Sequence, residues 1–163
     1  MEQFSGKLTL RPALKSDYDF LYSLHCLVLK EYIMQTWSWD ESWQRNYFDE
    51  HFTPEDREII QWEDRPIGVL CVQERDAETF LANIALLPDF QRRGIGESLI
   101  RQVQRQAFSA GKPVTLHVLR VNPARRLYER LGFRVIRETP EWFYMQADPP
   151  HRLPEKDGDV QDD

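Results

Sequence analysis

The stretch Gln91-Arg92-Arg93-Gly94-Ile95-Gly96 constrains this chain more than any other, because it joins an apolar strand to an amphipathic helix through two glycines and two arginines. Upstream, Phe80 to Leu87 reads as a mostly buried strand whose ladder pairing ends at Pro88. Downstream, Ile95, Leu99, Ile100, Val103 and Ala107 recur at helical spacing and turn Glu97, Arg101, Gln104 and Arg105 outward. A helix that starts at the glycines offers first-turn N–H groups without intrahelical partners, and the positive end of its dipole adds to them as an anion site. Gly94 and Gly96 let a phosphate reach the main chain, and Arg92 and Arg93 can add charge-assisted bonds. By itself the segment fits a pyrophosphate cradle and a plain strand-to-helix turn equally well. A dinucleotide fingerprint fits poorly, since Leu99 stands where its third glycine belongs, and a Walker loop is excluded because no Gly-Lys-Ser/Thr follows.

A chain of 163 residues is one domain with room for a core that needs no metal or disulfide staple. Cys26 and Cys71 are far apart and outside any C-x-x-C, which points to a reduced, cytoplasmic setting. No apolar run has the length of a membrane span, and the N-terminus lacks the regions of a signal peptide. The net charge of -6 is concentrated at the end, where Asp148, Glu155, Asp157, Asp159, Asp162 and Asp163 stand beside only Arg152 and Lys156. With Pro149, Pro150, Pro154 and Gly158 among them, residues 148–163 read as an acidic disordered tail after a domain of residues 1–147. No basic face for nucleic acid is visible, and His25, His51, His117 and His151 show no metal-ligand spacing.

The remaining elements follow in order. A strand around Leu8 and Leu10 closes at Pro12, and Ser16 with Asp19 resembles a capping box ahead of a helix with Phe20, Leu21, Leu24 and Val28 on one face. Ser38 and Glu41 suggest a second capped helix, carrying Trp43 and Tyr47. Glu58 to Trp62 and Ile67 to Val72 read as a hairpin, Val114 to Val118 as a buried strand, and Asn122-Pro123 as the start of a helix that Gly132 ends. Strands at Phe133 to Arg137 and Trp142 to Gln146 complete an α+β, three-layer domain around a mixed, mostly antiparallel sheet of six or seven strands and about four helices.

These residues resemble the GNAT N-acetyltransferases. QRRGIG looks like that family's acetyl-CoA pyrophosphate motif, Q/R-x-x-G-x-G/A. The string from Asn122 through Tyr128 to Gly132-Phe133 looks like its second hallmark, at the usual separation. The resemblance implies transfer of acetyl from acetyl-CoA to a primary amine within a ternary complex, in a monomer or homodimer, without metal, nucleic acid or membrane. It places the pantetheine arm between the strands at 80–87 and 114–118, against the main chain of Leu86 and Leu87. Gln91, Arg92, Arg93, Gly94, Ile95, Gly96, Glu97 and Ser98 then surround the pyrophosphate, and Asn122, Arg125 and Tyr128 complete the cofactor set.

By the same resemblance Tyr128 faces the departing thiolate. An ordinary tyrosine near 10 is a weaker acid than a thiol near about 8.5, so hydrogen-bond donation suits Tyr128 better than full proton transfer unless its site lowers its pKa. The amine needs a base, because a lysine-like group near about 10.4 is mostly protonated at neutral pH. Many family members supply a carboxylate from the cofactor strand, where this chain has Asn83, which can orient a water or the acetyl carbonyl. Glu31, Asp40, Glu74 and Glu78 remain as candidate bases, each also readable as a surface acid. Tyr32, Trp37, Trp39 and Asp40 are the expected acceptor-binding residues, an aromatic and acidic cup for a cation, while Trp43 is expected to pack the helix pair onto the sheet. Two other readings stay open: an acetyl-CoA-binding sensor or interaction module without turnover, and a scaffold of this fold without cofactor.

Overall fold

The computed structural model describes residues 7–150, so most of the expected acidic tail, from residue 151 on, lies outside the described residues. Seven strands form one sheet in the order β1-β2-β3-β4-β5-β7-β6. They are β1 (Leu8–Pro12), β2 (Arg57–Trp62), β3 (Arg65–Glu74), β4 (Thr79–Leu86), β5 (Val114–Leu119), β6 (Arg134–Glu138) and β7 (Trp142–Ala147). Four helices complete the fold: α1 (Tyr18–Thr36), α2 (Glu41–Glu50), α3 (Ile95–Ser109) and α4 (Arg125–Arg130). Only β4 and β5 pair in parallel, as the crossover through α3 requires; every other ladder is antiparallel. None of the described helices is long and apolar enough to cross a membrane.

Strand alternation divides the core in two. Ile60, Leu70, Leu81, Leu116 and Met145 face α3 and α4 together with Ile95, Ile100 and Leu131. Ile59, Val69 and Ala85 face α1 and α2, against Leu21, Leu24 and Phe48. A β-bulge at Ala82 adjusts β4: Cys71 pairs with Asn83 while Val72 pairs with Leu81, leaving Ala82 as the extra residue. Leu81 packs toward α3, yet Asn83, two residues on, shares the α1/α2 face with Ala85 because the bulge inverts the alternation.

Three helix starts differ from the sequence reading, and in the last of them α4 opens at Arg125, after a turn at Pro123 and Ala124, not at Pro123. α1 follows a 3-10 turn at Lys15–Asp17, and the anchor is Asp17, whose carboxylate accepts from the Leu14 amide and from both Nη atoms of Arg11, each at 2.8 Å. α2 begins at Glu41, not Ser38, because Asp40 Oδ1 accepts from the Trp43 amide at 2.9 Å as the cap. The β2–β3 hairpin turns on Glu63 and Asp64 alone, both at positive φ, and Arg65-Pro66 belongs to β3.

Candidate functional site

Parallel pairing of β4 with β5 covers only Thr79 with Val114, Phe80 with Thr115 and Leu81 with Leu116. Beyond Leu81 the strands diverge, and the gap opens into a cleft of about 1590 Å³ that runs from the start of α3 to the space beneath α1 and α2. Along β4 the peptide groups alternate between neighbours. The Leu87 amide donates to Ile67 at 2.8 Å, which turns the peptide groups of Ile84 and Leu86 toward the gap. Both main-chain groups of Leu87 are therefore engaged, since its carbonyl accepts from Phe90 at 2.9 Å. The Leu86 carbonyl accepts Gln91 Nε2 at 2.9 Å, so the Gln91 side chain serves the protein's own strand end.

At the glycine loop Arg92 and Gly94 both have positive φ, 61° and 82°, and Gly94 caps α3. The amides of the first helical turn at Ile95, Gly96 and Glu97 precede the first i→i−4 bond, Ser98 to Gly94 at 3.0 Å. Ile95 is buried in the core, Ser98 is half-buried, and Glu97 lines the cleft while paired with Arg101 at 3.0 Å. Arg92 lines the cleft, whereas Arg93 lies over the Phe90 ring at 5.3 Å. A Cβ on Gly96 meets only Leu86 Cδ1, at 3.9 Å, so space is open above this turn.

Asn122 Oδ1 accepts from the Ala124 amide at 2.9 Å, which caps the turn leading into α4. Arg125 is drawn out of the main cleft: it pairs with Glu129 at 2.7 Å, stacks on Phe143 and lines a separate pocket of about 410 Å³. Arg130, five positions on, lines the main cleft instead, and Arg126 stands between the two and lines both. Alternation around buried Tyr128 carries the signal for them, since both are exposed on a short helix whose inner face is fixed by Leu127, Tyr128 and Leu131.

Tyr128 lines the cleft at 9% exposure, edge-on to Phe133, and no described protein group bonds its hydroxyl. Burial alone pushes its pKa up to about 12, so the hydroxyl stays protonated and is a poor acid. Asn83 lines the cleft beside the bulge, half-buried, on the side of α1 and α2.

On that side Tyr32 and Asp40 line the cleft, and Trp37, 47% exposed, meets Trp142 of β7 with ring centroids 6.0 Å apart. Trp39 is turned away: its indole donates to Glu41 at 2.7 Å and Lys30 lies over its ring. Trp43 is no core residue; at 58% exposure it heads a stacked ladder of Trp43, Tyr47 and His51 along the cleft side of α2. Of the four acids, Glu31 and Asp40 reach the cleft, while Glu74 and Glu78 are held at the far end of the β3–β4 hairpin by Lys112, Thr79 and Arg75.

Three further cleft residues escape a motif reading. His25 of α1 meets Gln44 Oε1 at 3.2 Å, and burial, with the charge of Arg57, holds its pKa below the usual imidazole value. Arg57 shares strand parity with Ile59, which was the available signal that it points under α2. His117 on β5 also lines the cleft, between Phe80 and Tyr144. Among the described residues no group of histidine, cysteine and carboxylate side chains can hold a metal ion.

Solved structures share this architecture at low sequence identity. The PaiA N-acetyltransferase of Thermoplasma acidophilum, in complex with coenzyme A, superposes with a TM-score of 0.71 at 16% identity over 86% of this chain and 98% of its own. The ribosomal-protein-S18-alanine N-acetyltransferase of Escherichia coli gives 0.62 at 19% over 91% and 97%. An Arabidopsis thaliana protein in complex with the bisubstrate analogue CoA-Ac-MVNAL gives 0.61 at 13% over 87% and 99%. A sequence comparison with curated proteins finds no match. The model of the acetyltransferase (GNAT) family matches residues 21–133, and with the splayed strands, glycine-led helix and seven-stranded sheet in place, the chain belongs to that family.

Proposed function

We propose that this chain is an N-acetyltransferase that takes acetyl-CoA as donor and a primary amine as acceptor, both bound in the one cleft. The observation that carries the reading is the end of the β4–β5 ladder at Leu81 and Leu116 directly beside the unpartnered first turn of α3. The donor set suits the cofactor: main-chain amides and Arg92 for a pyrophosphate, Arg126 and Arg130 for further phosphate charge, and the Leu86 peptide for an amide-bearing arm. Acetyl-CoA supplies a thioester, whose acyl carbon is electrophilic and whose thiolate is a good leaving group.

In the transfer a nitrogen–carbon bond forms, the carbon–sulfur bond breaks, and the neutral amine gives up one proton as it is acylated, after its ammonium form has shed one to become nucleophilic. Releasing that proton from a lysine-like ammonium at neutral pH costs about 4 to 5 kcal/mol. Asn83 cannot take it but can orient the water that does, and Glu31 and neutral His25 line the same cleft. Tyr128, at about 12, lies some 3.5 units above a thiol near about 8.5, so protonating the thiolate is uphill by about 5 kcal/mol. Its role is hydrogen-bond donation to the sulfur as charge develops, and the thiolate takes its proton from solvent.

Free-thiol release from acetyl-CoA across an amine panel tests the proposal. Saturable coenzyme A binding with no thiol release from any amine supports the sensor reading instead. Absence of any thermal shift with coenzyme A removes both, since a ligand at 100 times its dissociation constant stabilises by about 2.7 kcal/mol.

A further inference from the structure

We infer that the acceptor carries a carboxylate as well as its amine, and that Arg57 is the residue that receives it; the inference rests on the transferase reading of the cleft. Arg57 opens β2 and stands in one cross-strand row with Cys71 of β3 and Asn83 of β4, all on the face toward α1 and α2. With neighbouring strands about 4.8 Å apart, its Cα is about 10 Å from that of Asn83, within reach of one small molecule given the length of an arginine side chain. The row continues the unbroken register that pairs Val69 with Ala85, and the Ala82 bulge just beyond it turns Leu81 to the other face.

The guanidinium lies beside the rings of Phe48 and Phe52, 5.6 and 5.8 Å from their centroids, and lines the cleft. Among the described residues its one hydrogen bond runs from Nη2 to the His51 carbonyl at 3.4 Å, and its buried Nε has no partner there. No carboxylate among the described residues pairs with it. The neighbouring strand offers a direct contrast, for Arg11 of β1 is neutralised by Asp17 through two bonds of 2.8 Å. A half-buried, permanently charged group with spare donors is costly unless an anion meets it.

Asp56, whose charge is felt at Cys71 in the same row, accepts from Thr53 Oγ1 at 3.4 Å and forms no ion pair with Arg57. His25 is neutral, its imidazole held down by burial and by the Arg57 charge, and Gln44 is an uncharged amide. A carboxylate seated on Arg57 aims the amine of the same molecule toward Asn83 and the splayed strands, which fixes its approach. A two-pronged bond to the guanidinium fixes orientation as well as affinity.

Matched acceptors test this through thiol release from acetyl-CoA: phenylalanine with phenylalaninamide and phenethylamine, and 4-aminobutyrate with 4-aminobutanamide and butylamine. The expected result is a kcat/KM at least about tenfold higher for the acid than for its amide in one set. Arg57→Gln is expected to raise KM for that acid about tenfold or more, leave KM for acetyl-CoA unchanged and remove the preference for acid over amide, with partial recovery in Arg57→Lys. Butyrate and 3-phenylpropionate, which lack the amine, are expected to compete with the acceptor in the wild-type protein while their carboxamides do not; this arm stands even if Arg57→Gln fails to fold. Equal use of acids, amides and plain amines, or no competition by the carboxylates, overturns the inference and leaves the transferase reading intact. Thiol release from no amine overturns both.

Discussion

Gln91 Nε2 donates to the carbonyl oxygen of Leu86 at 2.9 Å, so the first residue of the glycine loop closes the free end of the strand that splays. Beyond Leu81 that strand has no β5 partner, and a bare carbonyl there is an unmet acceptor. Gln91→Ala is expected to cost about 1 kcal/mol of stability and to raise KM for acetyl-CoA severalfold with kcat little changed. Arg92→Ala, on an exposed loop residue, is expected to weaken coenzyme A binding without lowering stability. Denaturant titration beside saturation kinetics separates the two; equal stability of Gln91→Ala and wild type contradicts the strand-end role.

Gly68 of β3 pairs with Leu86, and a Cβ there lies 2.3 Å from the Ala85 carbonyl oxygen and 2.8 Å from Leu86 Cδ2. The first contact is with backbone, which cannot swing aside, so Gly68→Ala forces β3 away from β4 at the open end of the splay. A loss of about 3 kcal/mol is expected, with coenzyme A affinity falling in parallel. Gly94→Ala meets a different obstacle, a left-handed φ of 82°, and is expected to cost about 1 to 2 kcal/mol. Chemical denaturation of both variants checks the order, and a Gly68→Ala protein as stable as wild type rules out the close approach.

Tyr128 at about 12 is too weak an acid to protonate a leaving thiolate, and its hydroxyl has no described protein partner to lose. Tyr128→Phe is therefore expected to lower kcat about tenfold, the scale of one hydrogen bond to developing charge, and to leave folding nearly unchanged. The kcat profile is expected to show no ionisation attributable to Tyr128 below about pH 10. A loss of about a thousandfold, with stability intact, returns Tyr128 to the role of obligate acid.

The end of the cleft at the glycine loop was legible in the sequence because it is built from local pattern: two glycines, a helix period and a capping asparagine each act within a few residues. The seven strands and four helices followed from alternation and periodicity for the same reason. What escaped is non-local. The bulge at Ala82 has no signature in Phe80 to Leu87, yet it puts Leu81 and Asn83 on opposite faces. Arg57, Cys71 and Asn83 become neighbours only through two strand registers, and Trp43 looked like a packing residue because no local pattern says that Gln44 and Phe48, rather than Trp43 and Tyr47, turn inward. Arg125 and Arg126 are adjacent in sequence, and it is the ion pair to Glu129 and the Phe143 ring that keep Arg125 out of the main cleft that Arg126 reaches.

Acid is expected to destabilise this protein in two steps, and His25 governs the first. Its folded pKa lies below its ordinary 6.5, through burial first and the charge of Arg57 as a further cause. A depressed histidine contributes stability that is fully present above the unfolded pKa and is lost as pH falls through the folded one, because the unfolded chain then takes up a proton the fold refuses. His117 acts in the same direction, lowered by burial and by Arg75. Asp17 follows at lower pH: its carboxyl is held below 3.8, first by the hydrogen bond from Arg11, so its contribution disappears only as pH falls under that value. Thermal melting from about pH 7.5 to about pH 3 is expected to show a decline beginning near about 6.5 and a second, steeper one below about 4. His25→Gln, which keeps a polar partner for Gln44, is expected to flatten the first decline and leave the second in place. A wild-type melting temperature that holds constant down to about pH 5 contradicts the assignment, because a histidine kept neutral by its site cannot remain silent through that range.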